Sequence, residues 1–374
     1  MPGKVESGKL WHKRLSFLYS TFNKSFHGYN LTKNVKDPTV YYDWNQKKKQ
    51  YMIHGICVDN LIFATNIPSY PNDISTHLSN NDCPVTEEPA TSILGMSISY
   101  ENKCLCLDCI GYIEQLSQQF DITNDLPDIF TPLPVNIEDV LEAVVKIIDG
   151  NVSKVKYNES KARFAKNIKE LETKCRSLCM ALAWVAKIRF DITCSVNILA
   201  SYTSKPNHTL MKYLIRVLRY CFTTRHMKLH YKKDDSDKIV VECESDASYA
   251  NKPDRKARTG GVIRLNGNVI AVVSRKQKTV TDSTSYAESA ALLEVVKFGM
   301  YIYYFMKDIE CIELPFVVYT DNMAALKHAI NDLNSDRSNH WDVKLKLLHQ
   351  YCKEGIIDVR HKDGKDLSAD IFTK

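Results

Sequence analysis

Residues 239–275 are the stretch that decides the fold, and they read IVVECESDASYANKPDRKARTGGVIRLNGNVIAVVSR. The dipeptide Asn266-Gly267 is typical of a tight hairpin turn, because both residue types tolerate a positive φ. Short apolar runs flank this turn and precede it. They predict three strands that can pair in antiparallel fashion, at Ile239–Asp246, Gly260–Leu265 and Val269–Arg275.

The residues that follow alternate between helical and strand patterns. A long helix is predicted from Ser285 to about Tyr304. The further elements are a strand at Phe316–Asp321, helices at Met323–Ile330 and Trp341–Lys353, a strand at Ile356–Arg360 and a short helix starting near Leu367. This order indicates an α/β fold with a mixed five-stranded sheet and flanking helices.

Four acidic residues stand where a metal site could form in this order of elements. Asp246 ends the first predicted strand, Glu288 lies in the first turns of the long helix, Asp321 ends the fourth strand and Asp370 lies at the start of the last helix. Neighbouring parallel strands share their carboxyl edge, so Asp246 and Asp321 can face one crevice. Two divalent cations about 4 Å apart repel each other and need several carboxylates to neutralise them.

Each acid taken alone also has a structural explanation. Asp246 could be a turn residue, Asp321 a helix N-cap, and Asp370 a first-turn acid favoured by the helix dipole. Glu288 differs, because its helix neighbours are largely apolar and an ionised carboxylate there is costly without a partner. The four together favour a metal site.

Five stretches of this block carry motifs. They are SDASYA around Asp246, DRKARTGG from Asp254, SRKQKTVTDSTSYAES ending at Ser289, YTDN around Asp321 and ADIFTK around Asp370. They resemble the successive ribonuclease H motifs of copia-type retrotransposon polyproteins. The resemblance implies a ribonuclease H-like fold that uses two Mg²⁺ or Mn²⁺ ions. The implied catalytic residues and metal ligands are Asp246, Glu288, Asp321 and Asp370.

The resemblance extends upstream over nearly the whole chain. RFDITCSVNILASY (189–202) and LIRVLRYCFTTRHMKLHY (214–231) are similar to the segment that links polymerase to nuclease. TSILGMSISY (91–100) and CLDCIGYIEQL (106–116) resemble the end of a palm and the start of a thumb. The implied domains are a partial reverse transcriptase palm at 1–110, a thumb and helical connection at 111–235, and a ribonuclease H domain at 236–374.

GICVDNLIFATN (55–66) resembles the YVDDL hairpin of such polymerases. The resemblance implies that Asp59 stands where a metal-binding aspartate belongs. The second aspartate is replaced by Asn60, and a neutral amide does not offset a divalent charge as a carboxylate does. The N-terminal segment SGKLWHKRL also resembles sequence downstream of the first catalytic aspartate of the palm. We therefore expect the polymerase half to be an incomplete, inactive remnant.

Positive charge concentrates in the helical middle of the chain. Eight lysines and arginines between Lys205 and Lys233 occur without any acidic residue, a pattern that suits a phosphate backbone. Arg216 and Arg219 are the candidate nucleic-acid contacts in this stretch. The alternative is a solvated helix face.

The region from residue 239 onward holds further candidate contacts to nucleic acid. Ser283 and Asn322 could contact the RNA 2′-OH, the group that distinguishes RNA from DNA. His361 could assist proton transfer, although a histidine at a strand end is more often structural. Loop cations that could hold hybrid phosphates, or simply be solvated, are Arg255, Lys256, Arg258, Lys276 and Lys278.

Composition narrows the class of protein. The 374 residues are 44% apolar and 25% charged, with a net charge of +6, and no apolar run approaches the roughly 20 residues that span a bilayer. The twelve cysteines lack a secretory signal and are expected to be reduced thiols. Cys104, Cys106 and Cys109 cluster, yet no second ligand pair completes a zinc set. We expect a cytoplasmic protein, with virus-like particles or the nucleus as alternatives.

Two functions remain open at this point. The first is hydrolysis of the RNA strand of an RNA-DNA hybrid, with other products of the same polyprotein as further partners and no membrane contact. The second is a non-catalytic remnant that keeps the fold and binds nucleic acid. An integrase or transposase is disfavoured, because those enzymes place their glutamate after the second aspartate and Glu288 here precedes Asp321.

Overall fold

The computed structural model describes residues 7–26, 28–45, 47–57, 60–152, 160–234, 238–249, 255–280, 283–307, 312–331 and 339–374. The chain divides into two compact units. One comprises Met1–Ile93 with Met300–Ile312, and the other comprises Leu94–Gly299 with Glu313–Lys374. The three predicted domain boundaries stay a prediction. Among the described residues, no helix combines the length and apolar character needed to cross a bilayer.

The first unit packs helices on a four-stranded antiparallel sheet of order β1-β2-β3-β4. Its core includes Leu15, Leu18 and Phe22, which recur at helical spacing on one face of the first helix. The apolar and aromatic runs TVYYDW (39–44), YMIHGICV (51–58) and LIFATN (61–66) predict strands, and the described residues of these runs fall largely in β2, β3 and β4. The elements are α1 (Ser7–Ser25), β1 (Thr32–Lys33), β2 (Val40–Asn45), β3 (Gln50–Cys57), β4 (Asn60–Thr65), α2 (Tyr70–Ser79) and, at its end, β5 (Ser92–Ile93).

The helical region of the second unit shares one hydrophobic core. The spacings of four, three and three residues predict that Leu178, Leu182, Val185 and Ile188 share one helix face, and all four are buried in this core. The runs ILGMSISY and CLCLD around Glu101–Lys103 predict a hairpin, and the structure forms it between β6 and β7, turning at Asn102 and Lys103, both at positive φ. The elements are β6 (Met96–Glu101), β7 (Cys104–Asp108), α3 (Ile110–Gln118), α4 (Ile137–Val152), α5 (Ser160–Val185), α6 (Thr193–Ala200), α7 (His208–Thr223) and β8 (Leu229–Lys232).

The acidic, proline-containing composition of Asp121–Gly150 predicts a connector, and the structure departs from that prediction in the second half of the stretch. Residues 121–136 are irregular, but α4 occupies the second half. Ile137 and Leu141 lie one turn apart and are both buried in the helical core. The acidic residues that suggested a linker, Glu138 and Asp139, lie in the first turn of α4, where the helix dipole favours negative charge.

The order of strands and helices predicted from residue 239 onward is confirmed. The sheet has the order β11-β10-β9-β12-β13, in which β9, β10 and β11 pair antiparallel and β12 pairs parallel with both β9 and β13. This is a ribonuclease H-like mixed sheet. Its elements are β9 (Val241–Ser248), β10 (Arg258–Leu265), β11 (Asn268–Lys276), α8 (Thr284–Lys307), β12 (Phe316–Thr320), α9 (Met323–Ile330), α10 (Asn339–Lys353), β13 (Ile357–His361) and 3-10 turns at Gly364–Asp366 and Ser368–Phe372.

Glycine lets neighbouring elements approach both faces of this sheet. On the α8 face, a Cβ built on Gly299 would lie 2.6 Å from the Phe316 ring. On the opposite face, a Cβ on Gly260 would lie 2.5 Å from the carbonyl oxygen of Ala369, in the last 3-10 turn. Both approaches are closer than any side chain permits, so α8 and the C-terminal turn are set against the sheet by backbone contact.

A buried ion pair ties the helical region to the mixed sheet within the second unit. Arg258 begins β10, and its Nη2 lies 3.0 Å from Oε1 of Glu138 on α4. Both residues are under 10% exposed. Because a buried charge is tolerated only when it is paired, each residue depends on the other.

Removing one partner of this pair should be costly. Glu138→Gln leaves the Arg258 charge buried without its counter-charge, and we expect a loss of about 3 kcal/mol in the free energy of unfolding. Glu172→Gln is the matched control, because Glu172 pairs with Arg176 on the exposed surface of α5 and its loss should cost under about 0.5 kcal/mol. Urea unfolding compares the two variants. Equal losses would contradict the structural importance of the Arg258–Glu138 pair.

Candidate metal centre

Three carboxylates from three different elements meet at one edge of the mixed sheet. Asp246, Glu288 and Asp321 each place an oxygen within 4.8 Å of the others. The parallel pairing of β9 with β12 brings the two aspartates together, and the N-terminal turns of α8 supply the glutamate. Asp321 directly follows β12 as expected, but β9 continues two residues beyond Asp246. Among the described residues, only these acids form a group of three or more potential metal ligands.

Asp246 is buried and held by a hydrogen bond that the sequence did not indicate. The hydroxyl of Thr373 lies 2.7 Å from its Oδ2. Burial raises the pKa of Asp246, and the negative charges of Asp321 and Asp370 raise it further, whereas the Thr373 hydroxyl and the Ala247 amide oppose the rise. Thr373 belongs to the ADIFTK motif, three residues after Asp370, and its position in that motif was the available signal.

Glu288 is the most strongly perturbed acid of the group. Burial, followed by the charges of Asp246 and Asp321, raises its pKa to about 9. Its Oε2 is buried and has no hydrogen-bond partner among the described residues. A buried acceptor without a donor costs free energy, and a divalent cation would satisfy it. The donor set is entirely carboxylate, which suits Mg²⁺ or Mn²⁺.

Asp370 lies beside the group rather than within it. It is the third residue of a 3-10 turn, where an α-helix start was predicted, and its carboxylate forms an ion pair with Lys374. Its charge still reaches Asp246, whose pKa it raises. The structure thus gathers three of the four predicted acids and places the fourth at the margin.

The two residues proposed for 2′-OH contact both cap helices next to the acids. The Oδ1 of Asn322 accepts hydrogen bonds from the amides of Ala324 and Ala325, so Asn322, not Asp321, is the N-cap of α9. The Ser283 hydroxyl accepts from the Tyr286 amide at the start of α8. Capping therefore commits the Asn322 oxygen and the Ser283 hydroxyl to main-chain amides at the starts of α9, which follows Asp321, and α8, which carries Glu288.

His361 and Gly364 border Asp321. The Nε2 of His361 lies 3.1 Å from the main-chain oxygen of Asp321, and the His361 ring is exposed. A Cβ on Gly364 would lie 2.9 Å from Oδ2 of Asp321, so a larger residue there would press on the carboxylate. His361 therefore sits beside the candidate site with one ring face open to solvent.

The cations proposed to bind phosphate fall into different environments. Arg258 is buried against Glu138, so its guanidinium neutralises a glutamate and the expectation that it contacts nucleic acid is corrected. Arg216 and Arg219 each use one guanidinium nitrogen to bind the 127–131 segment, at the carbonyls of Thr131 and Pro127. Arg216 and Arg219 keep part of their surface accessible, as do the loop and strand cations Arg255, Lys256, Lys276 and Lys278.

The polymerase-like motif is described only in part. Asp59 lies outside the described residues, and Asn60 begins β4, exposed, opposite Cys57 in the hairpin.

The cluster of Cys104, Cys106 and Cys109 has structural partners. Cys106 and Cys109 are buried, and Sγ of Cys106 lies 3.3 Å from Nδ1 of His230. Burial lowers the pKa of His54 to about 4, and its ring contacts Tyr19, as expected of a core histidine.

A groove that the sequence did not reveal lies on the flank of the same sheet. It is formed by the end of β11, by α8 and by Lys344 of α10, and it encloses about 430 Å³. Among the described residues that line it, Glu294 is the one acid, and its Oε1 lies 2.9 Å from Nη1 of Arg275. The cations that line the groove are Arg275, Lys276, Lys278, Lys297 and Lys344. Arg275, Lys276 and Lys278 are close together in sequence, but Lys297 and Lys344 come from α8 and α10, so only the fold shows that the five cations share a groove.

Comparison with known proteins gives relatives of one kind. No family model matches the chain. It is 24% identical over 365 residues to the retrovirus-related Pol polyprotein from transposon TNT 1-94 of Nicotiana tabacum, covering 95% of this chain and 26% of the relative. It is 23% identical to the Pol polyprotein from transposon RE1 of Arabidopsis thaliana, covering 91% of this chain and 22% of the relative. The chain thus spans about a quarter of the length of these curated relatives.

Two solved structures are also similar. LC11-RNase H1 in complex with an RNA/DNA hybrid matches 35% of this chain and 91% of its own, at 15% identity and a TM-score of 0.28. The foamy viral protease-reverse transcriptase in complex with dsDNA matches 97% of this chain and 60% of its own, at 10% identity and a TM-score of 0.45.

The raised pKa of Glu288 predicts that the metal-free protein loses stability as the pH rises. The Glu288 carboxyl releases its proton at about pH 4.3 in the unfolded chain but only at about pH 9 in the folded protein. The free energy of unfolding therefore falls as the pH rises between those values. Glu288→Gln removes the titration. In EDTA, we expect the variant to be more stable than wild type at pH 8, by on the order of a few kcal/mol, and similar near pH 4.5.

Urea unfolding at the two pH values checks this expectation, and added Mg²⁺ should stabilise the wild type more than the variant. A variant that is no more stable than wild type at pH 8 would show that the fold does not raise the pKa of Glu288.

Proposed function

We propose that this chain, a segment homologous to the Pol polyproteins of copia-type retrotransposons, carries a ribonuclease H that hydrolyses the RNA strand of RNA-DNA hybrids. The observation that carries the proposal is the group formed by Asp246, Glu288 and Asp321 at the edge of a ribonuclease H-like sheet, with Oε2 of Glu288 buried and unpartnered among the described residues. Buried carboxylates gathered in this way favour divalent cations as partners.

Asp246, Glu288, Asp321 and Asp370 would hold two Mg²⁺ or Mn²⁺ ions. When bound, such ions activate water and stabilise the oxygen that leaves the phosphate. The protein's part is to position the carboxylates. Thr373 fixes one oxygen of Asp246, and Lys374 neutralises Asp370 until a cation competes for it. The exposed ring of His361, fixed at Nε2 by the main-chain oxygen of Asp321, can exchange a proton with solvent beside the reacting phosphate.

The substrate assignment rests on charge and on the helix-capping side chains. The groove formed by β11, α8 and α10 presents five cations and one carboxylate, which suits the phosphates of a duplex arm that extends from the site. Asn322 and Ser283, at the starts of α9 and α8, are proposed to contact the 2′-OH groups that distinguish the RNA strand. The basic face of α7, with Lys212, Arg216 and Arg219, borders a second groove and is a further candidate contact.

The upstream regions are proposed to be a partial palm at 1–110 and a thumb and connection at 111–235, as in the polyproteins that the chain resembles. Because Asn60 replaces a carboxylate of the polymerase motif, we propose that nucleotidyl transfer is not an activity of this chain. Other products of the same polyprotein are proposed as partners.

Replacing Asp321 by Asn should abolish most hybrid cleavage. The change removes one ligand charge from the site while keeping the shape of the side chain, and we expect a rate loss of about 100-fold or more, equivalent to several kcal/mol of barrier. Asp358→Asn is the matched control, because Asp358 lies on β13 in an exposed pair with Arg360. The measurement is cleavage of a labelled RNA-DNA hybrid with and without Mg²⁺. Wild-type rates in Asp321→Asn would sink the assignment.

The flanking groove should make hybrid binding dependent on salt. Lys297→Ala removes one groove cation, and we expect the slope of log Kd against log salt to become shallower by roughly 0.9, as for the loss of one phosphate contact. Lys353→Ala, at the exposed end of α10, is the control and should leave the slope unchanged. Binding is measured in EDTA so that the hybrid stays intact. Identical slopes for the two variants would show that the groove is merely solvated.

A further inference from the structure

Glu244 is a second buried carboxylate on the strand that carries Asp246. It precedes Asp246 by two residues, so both side chains project from the same face of β9, and it is only 2% exposed. Unlike Glu288, it is fully partnered. Lys362 Nζ lies 2.6 Å from its Oε1, Arg264 Nη1 lies 2.9 Å from the same oxygen, and the Ser368 amide donates to its Oε2 at 2.7 Å.

These partners bracket one short segment of chain. Lys362 directly follows β13, and Ser368 begins the last 3-10 turn, so a single carboxylate holds both ends of residues 363–367. Arg264 reinforces the second end, because its Nη2 donates to the Ser368 hydroxyl at 2.9 Å. The first end is also tied to β12, since the Lys362 amide donates to the Thr320 carbonyl.

The bracketed segment crosses the candidate metal centre. It contains Gly364, whose Cα approaches the Asp321 carboxylate so closely that a Cβ would lie 2.9 Å from Oδ2. It also leads directly into the turn that carries Asp370 and Thr373, and the Thr373 hydroxyl holds Oδ2 of Asp246. The surroundings of Asp321 and Asp246 and the position of Asp370 thus depend on where residues 363–373 lie.

We propose that Glu244 is a positioning residue that latches residues 362–373 across the metal centre, through its contacts to Lys362, Arg264 and the Ser368 amide. It takes no part in binding the ions, because both of its oxygens are occupied by protein donors. Its role is to keep Asp370 and Thr373 in register with Asp246 against the repulsion among the acids. This inference deepens the proposed nuclease function and rests on it for its catalytic consequence, although the latch itself can be observed without catalysis.

The test compares Glu244→Gln with Glu242→Gln in the full chain. Glu242 lies on the same strand and face, is only half-buried and makes no ion pair among those described, so it is the matched control. Hydrogen exchange of the 363–373 amides is measured in EDTA, and Mg²⁺ binding is measured by calorimetry. We expect Glu244→Gln to speed exchange in 363–373 selectively and to weaken Mg²⁺ binding about 10-fold, as for loss of a residue that orients ligands. Glu242→Gln should do neither.

The cleavage assay then separates positioning from chemistry. We expect Glu244→Gln to raise the Mg²⁺ concentration needed for half-maximal cleavage while the rate at saturating Mg²⁺ stays within a few-fold of wild type. Lys362→Met serves if Glu244→Gln does not fold, because it removes one cation and leaves Glu244 paired with Arg264. It should show the same selective exchange to a smaller degree.

Two outcomes would overturn the latch. One is unchanged exchange in 363–373 with unchanged Mg²⁺ binding. The other is exchange that accelerates equally throughout the sheet, since this would mean that Glu244 supports global stability only. If wild type itself fails to cleave hybrid at any Mg²⁺ concentration, the proposed nuclease function fails, and exchange and calorimetry still decide the latch.

Discussion

The repulsion among three acids that are packed together, two of them buried, is the constraint on which the rest of this structure depends. Asp246, Glu288 and Asp321 lie within a few ångströms of one another, and burial with mutual charge raises the pKa of Asp246 and Glu288. No side-chain contact among them could hold such an arrangement together. Instead, β9, α8 and β12 hold the main chain at each acid in place. The hydrogen bonds of the sheet and the packing of the helix offset the unfavourable repulsion.

Close backbone packing makes this possible on both faces of the sheet. Gly299 lets α8 press against Phe316, which sets the position of the helix whose first turns carry Glu288. Gly260 gives room on the other face to the turn that carries Asp370 and ends at Phe372. The site therefore forms where two layers are brought unusually near to β9 and β10, one from each side.

Three buried glutamates show how the fold distinguishes structural from functional charge. Glu138 is paired with Arg258, and Glu244 is paired with Lys362 and Arg264, so burial is compensated in both. Glu288 is as buried as these, yet it faces two other acids and keeps an oxygen without a partner among the described residues. Identical side chains at similar depth thus differ in their electrostatic surroundings, and this difference supports the proposal that Glu288 binds a cation.

The sequence by itself determined the order of strands and helices from β9 to β13, because periodicity and the Asn266-Gly267 turn are local signals. It also predicted one site for four acids, and for Asp246 and Asp321 it supplied the physical reason, because neighbouring parallel strands share an edge. The structure brings these two together with Glu288 and leaves Asp370 beside the group. Only the tertiary structure decided that Arg258 is buried against Glu138, 120 residues away, and that Thr373 binds Asp246. Such contacts depend on which distant segments pack together, and an Arg or a Thr has the same local pattern whether it faces solvent or a buried carboxylate.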